Sequence, residues 1–389
     1  MIRMPRVEDF SDRLHAPQVT SRVGLWLGIS FGICFLTGFW SHLQQTTPGW
    51  LAIPPSPAGL YRVTQGLHII TGTIAVPLLL VKLWSVFPRL FIRPPTRLGK
   101  PLAVHLLERA SIAALISAGI FQLVSGLLNI VQWYPWDFSF RATHYAVAWV
   151  AIGSLLVHIA VKLPVIREAL GAPVDAPNTS QPADSSPADS THGLSRRALL
   201  RTTWAAAGLA ALLTAGQTVP WLRKVSVFAV RTGEGPQGVP INRTARAAGV
   251  LGTADAPGWE LELTYRGRST TLTRQDLEGM RQTSSELPIA CVEGWSASGR
   301  WSGVAMRDLV ESVGAPARSR VFVTSLQTRG AFGTSELPSQ FVADDRTLLA
   351  LRLGGETLTI DHGFPCRIIA PNRPGVWQTK WVTKLEVQT

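Results

Sequence analysis

The chain has 389 residues, of which 46% are hydrophobic and only 16% are charged. This composition is too apolar for an ordinary soluble globular protein, so membrane-spanning segments are expected. The formal net charge of +12 does not indicate nucleic-acid binding, because the basic residues flank apolar segments instead of forming one stripe with interleaved aromatic residues. The length predicts two or three domains.

Four apolar segments in the first 170 residues are long enough to span a bilayer, and they are expected at 23–40, 63–86, 102–130 and 144–163. The connection between the second and third segments carries Arg89, Arg93, Arg97 and Lys100. Positive loops stay on the cytoplasmic side of bacterial membranes, so both ends of this bundle are predicted to lie inside.

Histidines in the apolar half are the first candidate ligands, because ionisable side chains at membrane depth are costly and usually functional. His144 and His158 are 14 residues apart on one predicted helix. That spacing returns to within about 40° of the same face after a rise of about 21 Å. His68 is level with His144 and His15 is level with His158, so the pattern predicts two stacked haems. A proton relay in a transporter is the alternative.

This half resembles the four-helix b-type cytochrome subunits of formate dehydrogenases and nickel-iron hydrogenases. The resemblance implies two haem b groups, the outer one held by His68 and His144 and the inner one by His15 and His158. His42 and His105 are reserve ligands at suitable depths. Two histidines on each iron leave no open position, so these haems are expected to transfer electrons and not to bind oxygen.

A Pro-, Ala-, Ser- and Asp-rich segment, 171–194, has almost no large apolar residues and predicts a flexible linker. It is followed by SRRALLR, from residue 195 to 201, and an apolar stretch from 202 to 219. This junction resembles a twin-arginine export signal, although a positive-inside anchor before a single span explains the arginines equally well. Either interpretation places the residues after Pro220 outside the cytoplasm.

The remaining chain alternates short apolar runs with Gly and Pro, which predicts an α+β domain. A capped helix is expected after Thr273, at 274–280, and a second helix at 304–313. The expected strands, given by residue number, are 259–265, 269–272, 287–291, 320–325, 348–353, 367–370 and 380–387.

Two stretches of this domain carry a specific pattern. Residues 286–304 read ELPIACVEGWSASGRWSGV and residues 361–387 read DHGFPCRIIAPNRPGVWQTKWVTKLEV. In the first stretch, Cys291 lies between an apolar run and a Gly-Trp-Ser turn. A thiolate at this position can bind the metal of a bulky cofactor, because the glycine leaves room for the cofactor to approach. A buried inert cysteine, or a Cys291–Cys366 disulfide in an exported domain, are the alternatives.

In order and spacing, the two stretches resemble the metal-ligating and pterin-holding segments of the sulfite-oxidase superfamily, over about 225–389. The resemblance implies a Mo-molybdopterin cofactor with Cys291 as the molybdenum ligand and catalytic residue. Arg373 and Arg300 are expected near an oxyanion substrate. The cofactor-binding residues that the resemblance implies are Asn242, Ser325, His362, Arg367, Gln378, Thr379 and Lys380.

The sequence thus predicts a multidomain protein with an all-α transmembrane four-helix haem bundle (1–170), a linker (171–194), a fifth anchor helix (195–222) and an α+β molybdopterin domain (223–389). Its expected function is two-electron oxo transfer to or from a small oxyanion or sulfoxide, coupled through the haems to quinone. The expected location is a bacterial plasma membrane, with the C-terminal domain outside the cytoplasm. The alternative is a haem-based electron-transfer or redox-sensing protein whose molybdopterin-like module is inactive.

Overall fold

The structure, a computed structural model, describes residues 14–91, 95, 99–176, 194–229 and 235–389. It separates into two compact units. The described residues of Met1–Phe39 and Leu67–Thr214 form the first, and Trp40–Gly66 with Ala215–Thr389 form the second. The sequence-based boundaries assigned 40–66 to the N-terminal domain, whereas the structure groups this segment with the C-terminal residues. Most of the predicted linker lies outside the described residues.

In the described residues, the first unit is built from five long apolar helices. Two of them, α1 and α2, continue into the second unit. Each is long and apolar enough to cross a membrane. A helix that is apolar on all sides needs an apolar environment around it, which a bilayer provides. The helices are α1 (Pro17–Thr46), α2 (Leu60–Val86), α3 (Lys100–Ile130), α4 (Phe140–Gly171) and α5 (Arg196–Ala215).

These helices confirm the predicted apolar segments but extend beyond them. The fourth span was predicted to end before Pro164, yet α4 passes through this proline and ends at Gly171. Neighbouring helices can satisfy the backbone groups that a proline frees in a membrane helix. The first helix begins at Pro17, six residues before the predicted start, and this brings its N-terminal end close to His15.

Two five-stranded sheets build the second unit. One has the order β2-β1-β10-β5-β6, with β1 and β10 parallel. The other has the order β3-β4-β7-β8, and β9 pairs with β7. The strands are β1 (Glu260–Tyr265), β2 (Arg268–Thr273), β3 (Gln282–Ala290), β4 (Ser296–Ala305), β5 (Arg320–Ser325), β6 (Thr334–Leu337), β7 (Leu348–Leu353), β8 (Glu356–Thr357), β9 (Arg367–Ile369) and β10 (Val382–Gln388).

In the described part of this unit, two short helices precede β1 and three lie between strands, and a hydrophobic core to which both sheets contribute holds the unit together. Leu263 and Val323 enter this core from the first sheet, and Val304 and Leu351 enter it from the second. The short helices are α6 (Ala245–Ala248), α7 (Leu251–Ala254), α8 (Arg274–Gly279), α9 (Met306–Ser312) and α10 (Ser339–Val342). The architecture confirms the predicted α+β class.

The local predictions for this unit differ in outcome. Thr273 caps α8 through a reciprocal capping box with Asp276, as expected. The predicted helix at 304–313 begins only at Met306, because the residues before it form β4. Strand β4 carries two glycines, which strands usually avoid, and this explains why the sequence pattern did not identify it. Gly303 is required there, since a Cβ atom would lie 2.1 Å from the carbonyl oxygen of Leu349.

Candidate functional site

Cys291 lies at the tight turn that ends strand β3. The amide of Gly294 donates to the carbonyl of Cys291 (3.0 Å), and the amide of Cys291 donates to the carbonyl of Trp295 (2.9 Å). Gly294 has a φ of 92°, a conformation that residues with a Cβ atom rarely adopt. The glycine therefore lets the chain reverse directly after the cysteine, whose side chain is buried.

A second backbone segment lies against the base of this turn. Ala290 forms a parallel bridge with Pro374, and a Cβ atom on Gly375 would lie 3.1 Å from the carbonyl oxygen of Ala290. The glycine thus permits the close approach of the two segments that the sequence pattern singled out. The structure thus places these two stretches, about 80 residues apart in the chain, next to each other.

The turn is fixed from its other side by residues far away in the sequence. The side-chain amide of Gln65 donates to the carbonyl of Val292 (3.1 Å), and the hydroxyl of Thr218 donates to the carbonyl of Gly294 (2.7 Å). Inside the turn, the indole of Trp295 donates to Glu293 (2.9 Å). Because its backbone carbonyls are bonded, the turn holds the thiol in one place.

A buried cationic cluster forms the rest of the site. Lys380 donates to the carbonyls of Arg243 (2.5 Å) and Asp361 (2.9 Å), and its ammonium lies 4.5 Å from the centre of the Trp381 ring. The thiol of Cys291 is among the ionisable groups that influence the charge of Lys380. The thiol and the ammonium group therefore share one electrostatic environment.

Arg367 and His362 complete this cluster. Arg367 donates to the carbonyls of His362 (2.9 Å) and Gln378 (3.1 Å), and its guanidinium lies 5.1 Å from the centre of the Trp301 ring. His362 Nε2 is 2.6 Å from the carbonyl oxygen of Pro236. A carbonyl only accepts, so Nε2 carries the proton and donates it.

Burial sets the charge state of these side chains. Removal from water lowers the pKa of His362 to about 4, with the charge of Arg367 adding to the effect. Burial and the charge of Arg367 also hold the pKa of Lys380 well below its usual value, and burial lowers the pKa of Arg367. The site therefore disfavours additional positive charge and favours an anionic group that would compensate the cations.

Unpartnered polar atoms in the same place fit such a group. Among the residues that the structure describes, the buried Nε of Arg367, the buried Nε of Arg243 and Oε1 of Gln378 have no hydrogen-bond partner. Buried polar atoms are almost always bonded in folded proteins, so each of these three requires an explanation. A phosphorylated pterin, with its anionic oxygens and its polar ring edge, offers acceptors and donors of the required kinds.

Other predicted cofactor residues lie around this cluster, but their side chains are bonded to protein. The hydroxyl of Ser325 donates to the carbonyl of Lys380 (2.6 Å), and that of Thr379 is 2.6 Å from the hydroxyl of Ser335. Asn242 accepts a bond from the amide of Arg243 (2.9 Å). These contacts position the backbone around Lys380, and direct cofactor contacts for the three residues stay predictions.

The two arginines expected near a substrate lie in different environments. Arg373 is buried and donates to the carbonyls of Trp377 (3.0 Å) and Glu336. Arg300 is exposed on β4, opposite Glu286 in the strand pairing. Only Arg373 therefore lies in the interior of the domain.

Neither alternative for Cys291 describes the site fully. Cys291 and Cys366, both described by the structure, are not joined by a disulfide. Cys366 is buried in the main hydrophobic core, as expected. Cys291 packs among apolar residues, but its thiol is also one of the ionisable groups that act on the charge of Lys380.

Sequence reasoning did not find two members of the site, Arg243 and Trp301. The guanidinium of Arg243 packs against Gly330, where a Cβ atom would come within 2.9 Å of it. Trp301 presents its ring to Arg367 and lies 6.4 Å from the ring centre of His362. The Trp-Ser-Gly sequence after Cys291 was the available signal for Trp301, whereas Arg243 has no local signature.

In the helical unit, the two predicted outer haem ligands meet. The ring centres of His68 and His144 are 6.3 Å apart. This separation suits two imidazoles on opposite sides of one metal, because metal–nitrogen bonds are about 2 Å long and each ring centre lies about 1 Å beyond its nitrogen. His68 Nδ1 is 2.9 Å from the carbonyl oxygen of Cys34, and His144 Nδ1 is 2.9 Å from the hydroxyl of Ser125. Such bonds orient the rings of metal-binding histidines.

The predicted inner haem ligands, His15 and His158, both lie near the C-terminal end of α2. His15 Nδ1 is 3.1 Å from the carbonyl oxygen of Ser85, and its ring packs on Trp84. His158 has Lys82 among its charged neighbours. Both histidines therefore lie around the last turns of α2, and their joint ligation of a haem stays a prediction. The same holds for the reserve ligands, of which His105 lies near Glu108.

The arginines of the predicted export signal have structural partners. Arg196 donates to the carbonyls of Val174 (3.2 Å) and Ala176 (2.7 Å), and Arg197 pairs with Asp175 (2.7 Å). They thus fix the start of α5 against the segment that follows α4. These contacts are compatible with both sequence interpretations.

The C-terminal part of the chain is similar to known proteins. Residues 248–389 match the family of oxidoreductase molybdopterin-binding domains. Sulfite oxidase of Arabidopsis thaliana is 31% identical over 137 residues, which cover 31% of this chain and 35% of that protein. A protein of Azospira oryzae named as a protein-methionine-sulfoxide reductase subunit, YedZ1, is 30% identical over 115 residues, or 30% of this chain and 43% of that protein.

A third relative is covered more completely. The oxidoreductase YuiH of Bacillus subtilis, which is uncharacterized, is 28% identical over 145 residues, or 35% of this chain and 72% of that protein. The chain thus spans less than half the length of the first two relatives. Over residues 248–389 the chain therefore carries a molybdopterin-binding oxidoreductase domain that is similar to part of the sulfite oxidases.

Proposed function

We propose that this protein is a membrane-bound molybdenum oxidoreductase that performs two-electron oxo transfer on a small sulfur–oxygen compound. Sulfite oxidation and sulfoxide reduction are the two reactions of this class that its relatives suggest, since one relative is named a sulfite oxidase and another a methionine-sulfoxide reductase subunit. When bound, the cofactor supplies the metal at which the oxygen atom is gained or lost.

The observation that supports this proposal best is the position of Cys291 beside a buried cationic cluster. The turn fixes the thiol, and the thiolate of a cysteine is the form that binds a metal. Arg367 and Lys380 would hold the anionic end of the cofactor, and Gln378 would bind the pterin edge through its unpartnered carbonyl oxygen. No side chain is assigned as a nucleophile or a general acid.

We further propose that two haem b groups connect this reaction with quinone in a bacterial plasma membrane. His68 and His144 would hold one haem, and His15 and His158 the other. The five apolar helices and the basic connection between α2 and α3 support a multi-pass protein whose catalytic domain is outside the cytoplasm. Oxo transfer moves two electrons, and each haem carries one at a time.

The test uses the purified full-length protein in detergent. We expect bound molybdenum, a reduced-minus-oxidised spectrum with b-type bands, and haem reduction by sulfite or haem oxidation by dimethyl sulfoxide. Molybdenum content without turnover of either compound would contradict the assigned substrate class. Absence of b-type bands would favour a role for the histidines in proton transfer.

A further inference from the structure

The chain turns back on itself directly after α5. The amide of Gly216 donates to the hydroxyl of Ser226 (2.8 Å), and the amide of Ser226 donates to the carbonyl of Leu222 (3.1 Å). A Cβ atom on Gly216 would lie 2.9 Å from Cα of Arg223, so the glycine permits this close return of the chain. Arg223 therefore lies beside the residue that follows α5.

A second arginine, Arg62 in the first turn of α2, lies in the same place. Arg62 donates to the carbonyl of Thr218 (3.3 Å) and to the hydroxyl of Ser298 (3.2 Å), while Arg223 donates to the carbonyl of Ser296 (3.3 Å). The hydroxyl of Ser296 in turn donates to the carbonyl of Thr218 (3.4 Å). The charge of Arg223 also acts on that of Arg62. The two guanidinium groups are therefore close together.

No carboxylate compensates these two charges in the part of the chain that the structure describes. None of the ion pairs there includes Arg62 or Arg223. Their hydrogen-bond acceptors are carbonyl and hydroxyl oxygens, which are neutral. Two cations held close together repel each other, so an anion bound to both would stabilise the arrangement.

Two buried donors in this place have no partner within the described residues. Gln217 is only 2% exposed, and its side-chain nitrogen forms no hydrogen bond there. The buried Nε of Arg223 forms none either. The carbonyl of Gln217 accepts from the amide of Ser296 (2.9 Å), whose own carbonyl accepts from Arg223. Because buried donors are almost always bonded, both of these donors indicate a ligand that supplies acceptor oxygens.

The surface beside these donors is apolar. Trp221, Val227 and Phe228 are 80%, 72% and 66% exposed. Large apolar side chains that cluster on a surface indicate a binding site or contact with a membrane, and tryptophan and phenylalanine are typical of segments that lie in the membrane interface. These residues follow directly after α5, which is long and apolar enough to cross a membrane and ends at Ala215. The lipid headgroups are therefore expected at this level of the chain.

We propose that Arg62, Arg223 and Gln217 bind the phosphate of a membrane phospholipid, and that Trp221, Val227 and Phe228 lie in the membrane interface beside this lipid. Guanidinium groups form strong, charge-assisted hydrogen bonds with phosphate oxygens. A phospholipid also accounts for the apolar surface, which a free anion would leave in water. This inference rests on the proposed membrane location and not on the proposed oxo transfer.

The bound lipid would also support the turn that carries Cys291. The hydroxyl of Thr218 donates to the carbonyl of Gly294 (2.7 Å), and the carbonyl of Gln217 accepts from the amide of Ser296 (2.9 Å). A phosphate bound to Gln217 and Arg223 would fix the segment from which these bonds arise. Lipid binding is therefore expected to reduce the motion of the turn.

Native mass spectrometry of the full-length protein, delipidated in detergent, tests the site with dioleoylphosphatidylglycerol as the probe. Arg223→Gln and Lys224→Gln are matched variants, since each removes one positive charge and Lys224 is exposed. R223Q is expected to weaken lipid binding by about tenfold or more, through the loss of charge-assisted bonds to the phosphate. K224Q is expected to weaken it by about threefold or less. Equal weakening in both variants would indicate a general attraction to basic residues and would overturn the inference.

Hydrogen–deuterium exchange of the wild-type protein gives a readout that does not depend on the folding of a variant. Backbone amides in 216–226 and 291–298 are expected to exchange at least about tenfold more slowly with dioleoylphosphatidylglycerol than with dioleoylglycerol, which has the same acyl chains and no phosphate. Inorganic phosphate should not reproduce this protection. Equal protection by dioleoylglycerol or by inorganic phosphate would overturn the inference.

The haem spectrum of R223Q separates a lipid phosphate from a carboxylate of a haem. The inference is wrong if R223Q loses haem and still binds the lipid as the wild-type protein does. Neither lipid readout requires turnover. If the wild-type protein binds the lipid as expected and turns over neither sulfite nor dimethyl sulfoxide, the proposed reaction fails while the lipid site stands.

Discussion

The imidazole rings of His68 and His144 lie with their centres 6.3 Å apart and their planes inclined at 69°, although 75 residues separate them in the chain. Each ring is oriented through Nδ1, by Cys34 in one case and Ser125 in the other. Glycines lie beside both rings, since a Cβ atom on Gly38 would meet the His68 ring at 3.0 Å. The arrangement leaves the opposite edge of each ring for a metal.

Replacing either histidine is therefore expected to remove one haem and leave the other. His68→Ala and His144→Ala should each lower the haem content of the purified protein by about half, since both ligands serve one iron. Pyridine haemochrome analysis measures the loss. His42→Ala is the control and should keep both haems, whereas an equal loss in H42A would assign the outer ligand differently.

Cys291 and Cys366 form a matched pair for the metal-ligand assignment. Cys291→Ser should remove bound molybdenum, because a hydroxyl is a harder and far less acidic ligand than a thiol. Cys366→Ala should keep it and lower the free energy of unfolding by about 1–2 kcal/mol, through lost packing in the core. Metal analysis of both variants decides the assignment, and it is wrong if C291S retains molybdenum.

Lys380 should make cofactor retention depend on pH. Its pKa lies well below the usual value in the buried site, so raising the pH removes the charge that would bind an anionic cofactor. Wild-type protein should lose progressively more molybdenum as the pH of incubation is raised, and Lys380→Arg should show a smaller pH dependence because arginine stays charged. Equal pH dependence in the two proteins would exclude Lys380 as the cause.

His362 should make stability depend on pH in the acidic range. Its pKa is about 4 in the folded protein against an ordinary 6.5, so the unfolded chain binds the proton more readily between these values. Stability is then complete above about pH 6.5 and falls towards pH 4, by a total of about 3 kcal/mol. Thermal unfolding should show a shallower pH dependence for His362→Gln, and parallel curves would contradict the expectation.

Gly375 should be essential for the approach of its segment to the base of the Cys291 turn. In Gly375→Ala, the new methyl group would lie 3.1 Å from the carbonyl oxygen of Ala290, and the overpacking should cost about 1–3 kcal/mol. Gly279→Ala is the control, because nothing lies within 4 Å of a Cβ atom there. Tm and molybdenum content should fall in G375A alone.

The elements that sequence patterns predicted best are those with a local cause. The apolar helices follow from uninterrupted hydrophobic runs, and the cap of α8 follows from Thr273 and Asp276 three residues apart. Strand β4 was not predicted, because Gly299 and Gly303 weaken the strand preference of its sequence. The reason for Gly303 is tertiary: a Cβ atom there would collide with the backbone of strand β7.

The sequence by itself predicted the helical half, the α+β half and Cys291 as the candidate metal ligand. These features could be predicted because periodicity, apolar length and short motifs are properties of neighbouring residues. Only the tertiary structure decided that Asn372 holds the segment around Tyr61, and that Arg243 joins Lys380 beside Cys291. These contacts join residues more than 80 positions apart and depend on burial, which no local pattern encodes. The division of the chain into working parts therefore differs from its division into sequence segments.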